Sequence, residues 1–152
     1  MIPTFKKLSK LRNFKLRIIG NFDYSIKDLD LEVLTWNKET EINDLLEIDI
    51  GIYPLSDDSD WVLGKSGLKA LQYMALGIPP VASNIGNIKN IITHSKNGYL
   101  ANNENEWIKF LIQLIDDFKL RSRIGREAIN TVDNGYTVDV LSKKYLNVLN
   151  RI

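Results

Sequence analysis

The sequence predicts an α/β domain of three layers, in which a mostly parallel sheet is covered by helices on both faces. Three observations carry this expectation. Strand-like and helix-like segments alternate from Met1 to Leu100, the order that β-α-β units produce. Residues 48–55, Ile-Asp-Ile-Gly-Ile-Tyr-Pro-Leu, form a nearly continuous apolar run stopped by proline, as a strand buried on both faces requires. Residues 64–83, Gly-Lys-Ser-Gly-Leu-Lys-Ala-Leu-Gln-Tyr-Met-Ala-Leu-Gly-Ile-Pro-Pro-Val-Ala-Ser, read as loop, helix, tight turn and short buried strand. A chain of 152 residues, 44% apolar and 26% charged, supports one core and is too short for two ordinary domains, so residues 1–152 are expected to form a single domain.

In chain order, residues 1–12 place Ile2, Phe5, Leu8 and Leu11 at helical spacing, with Lys6, Lys7, Lys10 and Arg12 between them. A helix packed on the sheet with solvated lysines is the favoured reading. A basic amphipathic helix lying on anionic lipid is the alternative. Residues 15–20 form a short strand ending in Gly20, residues 21–30 a polar connection, and residues 31–35 a second strand followed by Trp36. Trp36 is either a core residue or a platform for a base. Residues 40–47 suit a helix with Thr40 as N-cap. After the run at 48–55, Asp57, Asp58 and Asp60 crowd a segment that reads as a solvated loop in preference to a cation site.

Beyond residue 83, Ile85, Ile88, Ile91 and Ile92 mark a short amphipathic helix, and residues 97–101 a turn into the last strand. Trp107, Leu111, Leu114, Ile115 and Phe118 make the strongest helical stripe in the chain. Residues 120–132 continue as a further helix that Asn134-Gly135 is expected to break. Thr137 then caps a final helix whose stripe is Val138, Leu141, Tyr145, Val148, Leu149 and Ile152.

The segment 64–83 carries the chemistry. Gly64 and Gly67 bracket a predicted helix start, and Gly77 with Pro79 and Pro80 supplies its stop. At about 100° per residue, Lys65, Lys69 and Gln72 share one stripe, while Leu68, Leu71, Met74 and Ala75 fall towards the core. As a helical i, i+4 pair the two lysines repel slightly, a small loss of stability that the arrangement accepts. A first helical turn leaves N–H groups unpaired and carries about half a positive charge. With glycines that admit a ligand and Lys65 one step inside, that end suits a phosphate or diphosphate. The plainer reading is a solvated lysine face.

Composition excludes several classes. A net charge of +1 gives no reason to propose nucleic acid, and no cysteine means no disulfide or thiolate metal site. The single histidine, His94, makes a histidine metal site or a triad a poor fit, and no metal is expected. No apolar run approaches the roughly 18 residues of a membrane span, and the N-terminus lacks a signal peptide's apolar middle. A cytoplasmic location is the default expectation.

Gly67-Leu68, Met74-Ala75, Gly77, Pro79 and Val81-Ala82-Ser83 resemble the nucleotide-sugar signature of retaining glycosyltransferase family 4, of GT-B fold. Gly64 and Gln72 stand where that signature has glutamates. The chain is similar to a bacterial subset with Gly-Lys-x-Gly-x-Lys followed by Gln-Tyr-Met. Gly86, residues 97–101 and the Arg121 to Gly125 segment extend the likeness. The resemblance implies a Rossmann-like C-terminal half of a GT-B enzyme, lacking the N-terminal acceptor domain and the first strand, with the terminal helix reaching back towards that domain. It implies no prosthetic group and a nucleoside-diphosphate sugar as donor, transferred to a cell-surface polysaccharide or lipid-linked glycan, at the inner membrane surface in some relatives. Lys65 and Lys69 would neutralise the diphosphate. Gly64, Ser66, Gly67, Leu68, Gln72, Trp36 and Gly20 would line the donor site, with Gln72 on the ribose hydroxyls. A non-catalytic α/β interaction module is the alternative.

Overall fold

The computed structural model describes residues 1–21, 23–56 and 60–151. Asp57 and Asp58 of the predicted acidic loop, and Ile152 of the last stripe, lie outside them. The elements in order are α1 (Ile2–Ser9), β1 (Leu16–Ile19), β2 (Leu31–Leu34), α2 (Glu41–Leu46), β3 (Gly51–Tyr53), α3 (Asp60–Leu63), α4 (Leu68–Ala75), β4 (Pro80–Ser83), α5 (Ile88–Ile91), β5 (Tyr99–Ala101), α6 (Glu104–Asp116), α7 (Phe118–Gly135) and α8 (Val138–Leu149). Among the described residues the strand pairs are all parallel, as the alternation predicts, but they fall into two groups, β1-β2 and β3-β4-β5.

Period-two alternation splits the core into two layers. Val81, Tyr99 and Ala101 turn towards α1 and α6, where Phe5, Leu8, Trp107, Phe110, Leu111 and Leu114 are buried. Ala82 and Leu100 turn the other way, onto Ala70, Met74, Ile88, Ile91 and Ala128. Gly51 sets the spacing of the second layer, since a Cβ there would lie 2.4 Å from Cγ of Tyr73.

The helix packed on the sheet, not the lipid-bound one, is what α1 forms. Phe5 and Leu8 are spent in the core against α6. Lys7 pairs with Glu104, and Arg12 grips Asp116 through two 2.7 Å bonds. No helix among the described residues is long and apolar enough to cross a membrane.

Three boundaries bear on the sequence expectation, and two of them differ from it. Thr40 stands at the N-cap of α2, but its hydroxyl donates to Asp44 Oδ2 at 2.8 Å instead of capping a backbone N–H. Helix α7 runs on through Asn134 and Gly135 and ends at Tyr136, because helical N–H donors continue to find partners, such as Tyr136 N–H on Val132 O at 2.8 Å. The expected cap of α8 is present, with Thr137 Oγ1 accepting from Val140 N–H.

Asn97 is the buried polar pin of the second layer. Its carboxamide oxygen accepts from Thr93 N–H at 2.7 Å, and its Nδ2 donates to Ile91 O at 3.1 Å and to Thr131 Oγ1 at 2.9 Å. Replacing it by alanine strands a buried donor and acceptor, a loss of about 2–3 kcal/mol. Asn97→Ala is therefore expected to lower the melting temperature by roughly 5–10 °C in a calorimetric scan.

Candidate functional site

Parallel strands deliver their carboxyl ends, and the loops that follow them, to one edge of a sheet. Gly20 follows β1 and Trp36 follows β2, and the two are joined because Trp36 N–H donates to Gly20 O at 3.4 Å. Trp36 is 43% exposed, so the core reading of this residue is corrected. Its place just past a strand end leaves its ring outside the packed layers. Leu55 and Ser83, after β3 and β4, are clamped by Ser83 Oγ, which accepts from Leu55 N–H at 2.8 Å and donates to Leu55 O at 2.9 Å. Gly86 follows β4 with a φ of 55°, and a Cβ there would lie 3.0 Å from Leu63 O, so the end of α3 rests on this turn.

The helix start differs from the expectation. Gly64 closes α3, its N–H donating to Asp60 O at 3.3 Å, and Lys65 N–H follows with Val62 O at 3.2 Å. Lys65 and Ser66 therefore lie in the loop between α3 and α4, not inside a helix. Gly67 is the N-cap of α4 with a φ of 83°. A Cβ on it would lie 2.5 Å from Ile91 Cδ1 and 2.9 Å from Ile88 Cδ1. The left-handed backbone and the close seat on α5 both need glycine, and together they force the helix to begin one residue later. Leu68 is then 62% exposed instead of core-facing, Ala75 is exposed too, and Ala70 and Met74 carry the buried face. Lys65 and Lys69 do not form a helical i, i+4 pair, so the expected repulsion along a helix drops out.

No side chain caps the N-terminus of α4, and no acid stands in its first turn. Asn87 pins the preceding loop by donating from Nδ2 to Ser66 O at 2.9 Å. Glu41, from the first turn of α2, is the residue that sequence reasoning missed. Its Oε1 receives both Lys69 Nζ at 3.5 Å and Gln72 Nε2 at 3.4 Å. Nothing in the sequence near Glu41 signals a helix 28 residues downstream. Gln72 Oε1 is buried with no hydrogen-bond partner among the described residues. The start of α4 thus combines an open N–H end with the Lys69 ammonium and the Gln72 amide held on Glu41, while Lys65 stands exposed in the loop just ahead of it. Among the described residues, no group of three or more His, Cys, Asp or Glu side chains gathers around a common point.

Two cavities lie elsewhere. One of about 570 Å³ separates β1 from β3, and Lys65, Lys69 and Gln72 are not among its lining residues. Tyr73 lines it, and burial pushes that phenol's pKa up, with Tyr53 adding to the effect. The other, about 320 Å³, is bordered by His94, Asn102 and Glu106. Asn102 donates to the Glu106 carboxylate from its backbone N–H and then its side chain, holding the carboxyl below its usual range. His94 is structural. Its Nδ1 accepts from Leu100 N–H at 3.2 Å, and its ring meets Phe110 edge-on at 5.0 Å.

Residues 1–131 match the protein family described as "Glycosyl transferases group 1". The chain belongs to that family. A curated relative, the N-acetyl-alpha-D-glucosaminyl L-malate synthase of Bacillus anthracis, is 27% identical over 155 residues, covering 95% of this chain and 39% of its own length. The C-terminal domain of a glycosyl transferase group 1 family protein (LpcC) from Francisella tularensis superposes with a TM-score of 0.58 at 25% identity, over 73% of this chain and 56% of that one. A point mutant of TarM from S. aureus, solved in complex with fondaparinux, alpha-GlcNAc-glycerol and UDP, has a TM-score of 0.74 at 23% identity, over 98% of this chain and 32% of its own. The chain thus spans about two fifths of that curated relative, and its fold is the Rossmann-like half of a GT-B glycosyltransferase.

Proposed function

We propose that this chain is the nucleotide-sugar-binding domain of a retaining, family-4-type glycosyltransferase that moves a sugar from a nucleoside diphosphate to a cell-surface polysaccharide or lipid-linked glycan. The observation that carries the reading is the N-terminus of α4, opened by Gly67, free of any capping side chain, and flanked by Lys65 and Lys69. Unpaired helix N–H groups and two cations stabilise the charge that gathers on a diphosphate as the glycosidic bond breaks. Gly64, Ser66 and Leu68 supply backbone around that charge. Gln72, on the same helix, would take the ribose hydroxyls through its amide, which Glu41 positions by accepting from its nitrogen. Gly20 and Trp36 edge the base side, where an exposed ring offers a stacking face. The leaving phosphate serves as base, so the domain needs neither its own nucleophile nor a metal. The partner in this reading is an N-terminal acceptor-binding domain, and the place of work is the cytoplasm or the inner face of its membrane.

Isothermal titration of the chain with UDP, GDP and ADP tests the proposal. Weak binding of one of them, without transferase activity, is expected; no heat with any up to millimolar concentration overturns it.

The bare face of α8 favours a second reading, an interaction module. Val138, Tyr145 and Leu149 are 82%, 70% and 63% exposed, and no residue of this helix is buried. In the enzyme reading the same face meets the acceptor domain; in the module reading it is the whole function, and the lysines are incidental.

A further inference from the structure

Asn87, at the start of α5, reaches the loop ahead of α4 through its side chain. We infer that it is a positioning residue for the donor diphosphate: by holding the Ser66 carbonyl it keeps the Gly67 N–H turned away from α5, to the side from which a phosphate approaches. The inference rests on the donor-binding reading and adds to it the residue that fixes the polarity of the loop.

Peptide geometry comes first. The C=O of Ser66 and the N–H of Gly67 share one trans peptide plane and point in opposite directions. Ser66 O accepts from Asn87 Nδ2 at 2.9 Å, so the carbonyl faces α5 and the Gly67 N–H faces away from it. The α5 side is closed to a ligand, since even a Cβ on Gly67 would lie 2.5 Å from Ile91 Cδ1 and 2.9 Å from Ile88 Cδ1. Lys65, Ser66, Leu68 and Lys69, which flank Gly67 in the chain, are exposed. An anion therefore meets this loop from the side to which the Gly67 N–H points.

That peptide needs holding because a glycine follows it. The φ of 83° and ψ of 16° at Gly67 are those of the third residue in a type II turn. A type I turn follows nearly the same chain path with that residue near about −90° and 0°, and with the peptide before it turned over by about half a rotation. Glycine accepts either sign of φ, so sterics at its own Cα exclude neither form. In the type I form the Ser66 oxygen would stand where the Gly67 N–H stands, and a phosphate would meet a partial negative charge in place of a donor. The bond from Asn87 is available only to the form that presents the N–H.

Asn87 is itself held in the orientation this needs. A carbonyl oxygen only accepts, so the atom that Asn87 turns to Ser66 is its amide nitrogen. Its Oδ1 accepts in turn from Asn90 Nδ2 at 3.1 Å, and the Asn90 carbonyl accepts from Tyr136 Oη at 3.2 Å, at the end of α7. Asn87 stands at the N-cap of α5 but makes no side-chain capping bond there. Its amide is thus committed to the loop ahead of α4 and not to its own helix.

Titration calorimetry with UDP, GDP and ADP, a thermal melt, and the Gly67 amide resonance followed during addition of inorganic pyrophosphate test this on the parent chain, Asn87→Ala and Asn90→Ala. In the parent, pyrophosphate is expected to move the Gly67 amide. Asn87→Ala is expected to bind the preferred nucleoside diphosphate at least about tenfold more weakly, to leave the Gly67 amide unmoved by pyrophosphate, and to melt within about 3 °C of the parent. Asn90→Ala, which frees the Asn87 amide to turn over, is expected to weaken binding in the same direction by a smaller factor, and it decides the matter if Asn87→Ala melts early. Undiminished binding in a variant that melts with the parent overturns the inference and leaves the donor-binding reading standing. So does weakened binding with a Gly67 amide that still responds to pyrophosphate as in the parent. A parent chain that binds none of the three nucleotides overturns both.

Discussion

Lys65→Ala combined with Lys69→Ala is expected to weaken nucleoside diphosphate binding by at least about thirty-fold while leaving the melting temperature within about 3 °C of the parent. Charge-assisted contacts to phosphate contribute about 1.5–3 kcal/mol each, and discounting them to about 1 kcal/mol for solvent exposure still leaves about 2 kcal/mol for the pair. Every 1.4 kcal/mol is tenfold in affinity. Lys65 is exposed and its backbone, not its ammonium group, is what ties it to α3. Lys69 meets Glu41 at 3.5 Å with half of its side chain in solvent, a pair whose effect on stability lies between about 0 and 1 kcal/mol. Glu41 keeps Gln72 as a partner after the change. Titration calorimetry and a thermal melt on the same preparation read both quantities. Undiminished binding sinks the assignment of these lysines to the donor phosphates, and loss of binding together with a collapse of the melting temperature shows them to be scaffold.

Gly125→Ala is expected to cost about 3 kcal/mol or more, and Gly135→Ala, in the same helix, to gain about 0.5 kcal/mol. A Cβ on Gly125 would stand 2.1 Å from the carbonyl oxygen of Gly77 and 3.1 Å from its carbonyl carbon. Both are backbone atoms of the turn that ends α4, so relief requires α7 to move off α4, and overpacking of that kind costs about 1–3 kcal/mol, occasionally more. Gly77 has a φ of 72° and cannot shift its carbonyl freely. Around a Cβ at Gly135 no atom of the described residues beyond its own helix and chain neighbours lies within 4 Å, so alanine there meets no neighbour and loses less chain entropy on folding. Urea denaturation of the two variants beside the parent separates them. Similar midpoints for both would mean that α4 and α7 do not touch at the Gly77–Gly125 crossing.

Much of the site's address is legible in the sequence, and less of its geometry. Gly67, Gly77 and the two prolines after Ile78 mark a helix with a forced beginning and end. What they leave open is the frame of that beginning. Whether a glycine before a helix acts as its first residue or as a left-handed cap depends on what lies against it, and here that is Ile88 and Ile91, more than 20 residues later. Moving the start to Leu68 exposes that leucine and leaves Lys65 in a loop. A core place for Trp36 follows from the apolar bulk of tryptophan alone. Its actual surroundings, the backbone edge of Gly20 and a turn, lie in sequence distance beyond what composition reports.

The sequence by itself determined the layering and the chain order of elements, because periods of two and 3.6 are local properties that each segment displays without knowing its neighbours. It also determined where the cations, the glycines and the amide stand along the chain. The tertiary structure alone decided that Glu41 bridges Lys69 and Gln72, that the amide oxygen of Gln72 is buried without a partner among the described residues, and that β1 and β3 face each other across an open space. Those facts depend on which segments come to lie side by side. That outcome is set by summed burial over the whole chain, and no stretch of residues encodes it alone.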